Sequence, residues 1–270
     1  MGRLELPNLV VPTDMQPEEM PDLLRYWYLG SKGRRHMMMR RFVEVDKELR
    51  RDNAGVVLDI GSAWGYNVMA LTSLGLCAVA IDLVTDQFAY GQRIARANTI
   101  LFDALGADAA GLPFRDACFG SITMVETFEH VFVEDRPAVF RECFRVLRRG
   151  GRLVLSTPNQ DSIVERAKRF VVKHPGLRRK LPTMMYPSPG IGRAGYHPYR
   201  YHLPASEKEV AGLLHDAGFD VRRARYFLFV LKNTPDGLFV LARSAEKLLE
   251  HLPGIRRLAA TLCIVADKPS

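Results

Sequence analysis

The stretch Val56-Val57-Leu58-Asp59-Ile60-Gly61-Ser62-Ala63-Trp64-Gly65 constrains this chain more than any other. Residues 56–60 are short, apolar and rich in β-branched side chains, which suits a strand covered on both faces of a parallel sheet. Small residues follow, and then a helical pattern over 66–74 that Gly75 closes. Gly61, Ala63 and Gly65 leave little bulk where strand gives way to helix. A ligand can lie against that backbone and meet the first amides of the helix. The dinucleotide pattern Gly-x-Gly-x-x-Gly is not met, because Ala63 and Tyr66 occupy its second and third glycine positions.

The next apolar run, 77–81, delivers Asp82 at its end. An acid about 20 residues beyond such a loop suits a ribose, since one carboxylate accepts from both the 2′ and the 3′ hydroxyl. Its competing role is to cap the helix expected over 86–97. A third strand falls within 100–107 and a fourth over 121–125. The fourth ends in Glu126-Thr127-Phe128-Glu129-His130, an acid-x-x-acid-His cluster where open α/β sheets place their chemistry. A helix over 135–149, with Pro137 in its first turn and Gly150-Gly151 after it, leads to a fifth strand over 152–156.

These motifs resemble class I S-adenosylmethionine (SAM)-dependent methyltransferases. The loop fits that family's nucleoside-binding turn, with Ala63 where glycine is usual. Asp108-Ala109-Ala110-Gly111-Leu112-Pro113-Phe114, followed by Phe119 and an apolar strand, fits its adenine segment. The run from Val146 through Arg148-Arg149-Gly150-Gly151 to Thr157-Pro158-Asn159 fits it closely. The resemblance covers 53–159 well and 206–226 loosely. It implies a Rossmann-like seven-stranded, mostly parallel sheet with helices on both faces. It also implies SAM as cofactor and S-adenosylhomocysteine as product. Asp59, Gly61, Ser62, Ala63, Gly65, Asp82, Leu83, Asp108, Ala109 and Glu126 are its cofactor contacts. Asp108 would meet the adenine amine, with Asp103 as the alternative if the register differs.

The Glu126–His130 segment is similar to that of ubiquinone-pathway O-methyltransferases and of small-RNA 2′-O-methyltransferases. There it can help hold a divalent cation, for which His197 or His202 would be a further ligand. Without a metal, Glu126 contacts the cofactor and His130 caps the turn or serves as a base. His130 is the first candidate base for a hydroxyl acceptor, with His197 and His202 behind it.

The rest of the chain divides around that core. Residues 1–52 form a proline-rich arm and N-terminal helices, including 37–51, that either cover the site or pack on the sheet edge. The stretch 53–159 is the SAM-binding core. Residues 160–204 are a basic insertion after the fifth strand, beginning with an amphipathic helix whose apolar face is Ile163, Val164, Ala167, Phe170 and Val171. It reads as a lid over the acceptor or as a contact with an anionic membrane. Tyr186, His197, Tyr199, Tyr201 and His202 are its acceptor-pocket candidates. Residues 205–270 complete the same α/β domain, with a capped helix after Ser206, a sixth strand over 219–231, a helix over 237–252 and a last strand over 259–266.

Composition narrows the partners. The chain has 270 residues and 38 Lys and Arg against 30 Asp and Glu, giving a net charge of +8, which permits an anionic partner. No apolar run approaches the roughly 20 residues that span a bilayer. Cys77, Cys118, Cys143 and Cys263 are scattered and read as buried free thiols of a cytoplasmic protein. The expected activity is methyl transfer to a small-molecule or lipid-linked acceptor. The alternatives are an RNA methyltransferase, a nucleotide-binding dehydrogenase or a non-catalytic protein of the same fold.

Overall fold

The computed structural model describes residues 9–21, 24–25, 29–49, 55–174, 176 and 201–270. Its seven strands form one sheet in the order β3-β2-β1-β4-β5-β7-β6. They are β1 Val57–Ile60, β2 Ala78–Asp82, β3 Asp103–Gly106, β4 Phe119–Val125, β5 Leu147–Pro158, β6 Asp220–Phe227 and β7 Thr261–Asp267. β1 to β5 are parallel, and β7 lies antiparallel between β5 and β6. The order reverses between β1 and β4, and it is there that the loop after β1 opens.

Seven α-helices accompany the described strands: α1 Lys32–Lys47, α2 Tyr66–Ser73, α3 Phe88–Ala97, α4 Arg136–Val146, α5 Ile163–Lys173, α6 Glu207–Asp216 and α7 Phe239–His251. Alternation along the strands feeds two layers. Leu58, Leu153 and Ile264 point to one face and pack with Val139, Phe140, Val210 and Leu214 of α4 and α6. Their neighbours Val57, Val154 and Val265 point to the other, against Val45, Val68 and Leu71 of α1 and α2. The N-terminal arm adds Leu9, Met15, Met20 and Leu24 against Trp64, Tyr66 and Ile94. Asn98 pins it, accepting from the N–H of Val10 and donating to its carbonyl, each at 2.8 Å.

Several boundaries differ from those expected, each for a local reason. α1 starts five residues early, at Lys32, because Ser31 caps it: the hydroxyl accepts the N–H of Arg34. The basic run 32–36 is therefore its first turn, and the Lys32 N–H donates to Asp236 at 3.0 Å. α4 stops at Val146, and Leu147 already pairs with Phe119, so Gly150 and Gly151 fall inside β5. β6 ends at Phe227, four residues short of the expected end. Leu228 has φ +79°, and the N–H groups of Leu228, Phe229 and Val230 go to the carboxylates of Glu250 and Glu246. Ser206 caps α6, accepting from the N–H of Glu209, but the Glu209 carboxylate turns away to Arg136.

One surface expectation is corrected, and the exposure of a second segment is defined. Cys143 and Cys263 are buried, but Cys118 is half-buried and Cys77 is exposed. On α5 the buried residues are Glu165 and Val171, while Ile163 and Phe170 face outward. Among the described residues no helix is long and apolar enough to cross a membrane.

Candidate active site

At the carboxyl edge of the parallel strands lies a cavity of about 520 Å³, within the range that holds small ligands. Its floor is the loop after β1. Gly61 has φ +74°, and a Cβ there would lie 2.2 Å from the Thr127 side chain, so only glycine fits. Ala63 also sits in the left-handed region, at φ +51°. Its N–H is aimed at Asp82 Oδ2, 2.8 Å away.

Asp59 holds this loop from beneath. Its carboxylate accepts from Ser62 Oγ at 2.6 Å, Asn67 Nδ2 at 2.8 Å and Thr123 Oγ1 at 2.6 Å. Only 2% of the residue is exposed. Burial pushes its pKa up against those three donors. Asp59 thus ties loop, α2 and β4 together rather than presenting a free carboxylate. Gly65 is likewise structural. It caps α2 at φ +88°, and a Cβ there would meet the Phe102 ring at 2.1 Å; it does not line the cavity.

Asp82 and Asp108 do line the cavity, with Ser62, Leu83 and Ala109. Asp82 also accepts the N–H of Val84 at 2.9 Å, and burial raises its pKa although the backbone N–H groups around it oppose this. Asp108 is exposed and accepts the N–H of Ala110 at 2.8 Å. The Leu-Pro-Phe segment beyond it is clamped from α4: Arg145 donates to the carbonyls of Leu112 and Phe114, and Glu142 accepts the N–H of Leu112. Asp103, the alternative to Asp108, begins β3 and so stands at the opposite end of the sheet, outside the cavity lining.

The far wall is the acid-x-x-acid-His cluster. Glu126 leaves β4 at φ +53°, and a short 3-10 turn, Phe128–His130, brings Glu126, Glu129 and His130 into one lining. Glu126 pairs with Arg41 of α1 at 2.8 Å and accepts from Ser156 Oγ at 3.0 Å. Glu129 accepts from Thr157 Oγ1 at 3.0 Å. Burial pushes both carboxyls up to about 7, against the pull of Arg41 on each. Burial and the cations around it push His202 down to about 3, leaving it neutral.

His202 comes from the insertion, and three contacts bracket it. His130 Nδ1 donates to the Tyr201 carbonyl at 2.6 Å, the Leu203 N–H donates to the Glu129 carbonyl at 2.8 Å, and Arg136 donates to the Leu203 carbonyl at 2.7 Å. Arg136, with 1% exposure, is therefore the clasp that returns the insertion to the core. Ligand atoms of Glu129, His130 and His202 lie within 4.8 Å of one another, a carboxylate and two imidazoles that suit a divalent transition metal or zinc. His197, Tyr186 and Tyr199 lie outside the described residues.

The structure adds residues that the sequence did not single out: Met38, Arg41 and Phe42 of α1, Trp64 of the loop, and Phe132. Arg41 is the one Arg or Lys in the described lining. No spacing separates it from its neighbour Arg40, which turns the other way to Glu250.

A seven-stranded sheet of this order, with an acid-lined cavity at its topological switch, defines the class I SAM-dependent methyltransferase fold. Residues 58–155 match the family model described as a methyltransferase domain. Over 139 residues the chain is 28% identical to a probable S-adenosylmethionine-dependent methyltransferase of Mycobacterium tuberculosis, covering 52% of this chain and 45% of that protein. Over 113 residues it is 32% identical to a ubiquinone biosynthesis O-methyltransferase of Xanthomonas oryzae pv. oryzae, covering 41% and 46%. The matches thus span about half the length of these curated relatives. A SAM-dependent methyltransferase from Archaeoglobus fulgidus shares the fold at a TM-score of 0.56 and 16% identity, covering 91% of this chain and 98% of that one.

Proposed function

We propose that this chain transfers a methyl group from SAM to a hydroxyl of a small-molecule or lipid-linked acceptor. The observation that carries the reading is one cavity whose lining joins the Gly61–Ala63 turn, Asp82 and Asp108 to Glu129, His130 and His202. The first set fits an adenosyl group: Asp82 for the ribose hydroxyls, Asp108 and the Ala109 amide for adenine. Arg41 fits the carboxylate of the amino-acid part. When bound, the sulfonium supplies an electrophilic methyl carbon, so the protein's task is to align the acceptor and exclude water.

His130 is the base in this reading. A carbonyl can only accept, so the Tyr201 contact fixes the proton on Nδ1 and leaves a lone pair on Nε2. That nitrogen lies 3.9 Å from Glu129 Oε1, which can stabilise the imidazolium once the hydroxyl proton is taken. The same trio can hold a divalent cation, which would lower the pKa of the acceptor hydroxyl. The 32% identity to a protein named for O-methylation in ubiquinone biosynthesis supports an oxygen acceptor.

The test is transfer of a labelled methyl from SAM to two pools, water-soluble phenols and a lipid extract, with and without chelator. Label in either pool supports the reading, and loss of it on chelation assigns the trio to a metal. Binding of S-adenosylhomocysteine with label in neither pool, nor in RNA offered in parallel, contradicts it and favours a non-catalytic protein; label in that RNA alone moves the acceptor to nucleic acid.

A further inference from the structure

α7 is packed inside out. A surface helix normally buries its apolar stripe. Here the buried residue of α7 is Glu246, at 0% exposure. It accepts from the N–H groups of Phe229 and Val230, both at 2.8 Å, and contacts His36 Nε2 at 2.7 Å. One turn on, Glu250 accepts the Leu228 N–H and pairs with Arg40. The inner face of the helix is thus an acidic ladder that satisfies α1 and the chain beyond β6. Phe239, Ala242 and Leu249 are half-buried beside that ladder, but the larger part of the apolar surface is left outside: Val240 is 74% exposed, Leu241 69% and Leu248 64%, with Leu238 before them and Leu252 and Ile255 after.

Leu241, Leu248 and Leu252 fall at i, i+7 and i+11, one line along the helix. Cations flank it. Lys232, Arg243, Lys247, Arg256 and Arg257 are exposed, whereas Asp236 is the one exposed acid in 231–257. The Asn159 amide donates to the carbonyls of Arg257 and Ala259, so the end of this segment sits beside the chain leading into α5, whose first residue, Ile163, is also exposed.

We propose that the outer face of α7 and the turn after it, 238–257, rests on an anionic lipid bilayer. Projecting leucines beside a cationic rim are what an interfacial helix needs: apolar side chains enter the headgroup boundary while Lys and Arg meet lipid phosphates. A protein partner would need no such excess of positive charge. The surface is independent of the proposed chemistry, since none of these residues lines the cavity.

The test is flotation of the full chain with phosphatidylcholine vesicles, with or without about one third phosphatidylglycerol. The expected result is at least about tenfold stronger partition onto the anionic vesicles, reduced by high salt. It should fall about tenfold in the double variant L241Q/L248Q. Arg243→Ala with Lys247→Ala should lose the anionic preference. Melting temperature and S-adenosylhomocysteine affinity should stay unchanged in both variants. Equal partition of the wild type and L241Q/L248Q, or no partition at all, overturns the proposal. So does a wild-type dimer in light scattering that L241Q/L248Q converts to monomer, which assigns the face to a second copy.

Discussion

The Nδ1–H of His130 points at the carbonyl of Tyr201, 2.6 Å away, so a residue of the insertion sets the tautomer of a core residue. Residues 201–203 and the turn 128–130 are thereby one unit, closed by Arg136. The unit carries both imidazoles of the candidate site.

It follows that His130→Asn should lower methyl transfer about 10²–10⁴-fold, the usual contribution of a positioned base. Affinity for S-adenosylhomocysteine should change less than about threefold, because the adenosyl-facing residues lie on the other wall. Single-turnover kinetics and calorimetry on one preparation separate the two effects.

Arg136→Met should act on the same unit from outside. It leaves the carbonyls of Val131 and Leu203 without their donor and removes the partner of Glu209. A loss of about 3 kcal/mol is expected for a buried charge that bridges three groups. Hydrogen exchange at residues 201–206 should rise ahead of the sheet. Uniform protection in the variant would mean that the insertion returns to the core by other contacts.

Ala63 carries a strained backbone at φ +51° beside a cavity. Ala63→Gly should stabilise the protein by roughly 0.5–1 kcal/mol, because the left-handed penalty outweighs the entropy that glycine adds to the unfolded chain. The Asp82 contact is to backbone N–H and survives the change. Chemical denaturation with an unchanged m-value reads the gain.

The Glu246 carboxyl is buried, which raises its pKa, but His36 and two backbone N–H groups outweigh that and hold it below the ordinary value. A depressed acid contributes stability above its unfolded pKa and loses it as pH falls through the folded one. Glu246→Gln should therefore cost about 2 kcal/mol at pH 7, and the gap to wild type should close as the pH drops below about 4. A gap independent of pH would show that the charge of Glu246 is not what anchors α7.

Much of the core was legible in the chain because strand period and turn chemistry are local. The continuous apolar run before Asp59 gave a fully buried strand, and the spacing to Asp82 placed a carboxylate at the cavity. What stayed hidden depends on partners far away. Asp59 reads as a ligand contact and does line the cavity, but the sequence does not show that Ser62, Asn67 and Thr123 also hold its carboxylate from within. The run 219–231 reads as one strand, yet carboxylates of α7 take its last N–H groups in place of a neighbouring strand. Ile163 and Phe170 read as part of one apolar face that either covers the acceptor or meets a membrane, because helical period shows a stripe without saying what it faces; both are exposed. Arg41 and Arg40 are adjacent and alike in sequence, and only the packing of α1 sends one to Glu126 and the other to Glu250.

The claim beneath all of this is that the cavity between Asp82 and His130 takes an adenosyl thioether or sulfonium. Isothermal titration of the purified chain with S-adenosylhomocysteine, with NAD as the control, tests it. The expected result is one saturable site for S-adenosylhomocysteine and no heat with NAD, with affinity falling about 10–100-fold in Asp82→Ala as a charge-assisted bond is lost. No binding at millimolar ligand, or equal binding by Asp82→Ala, would contradict the account.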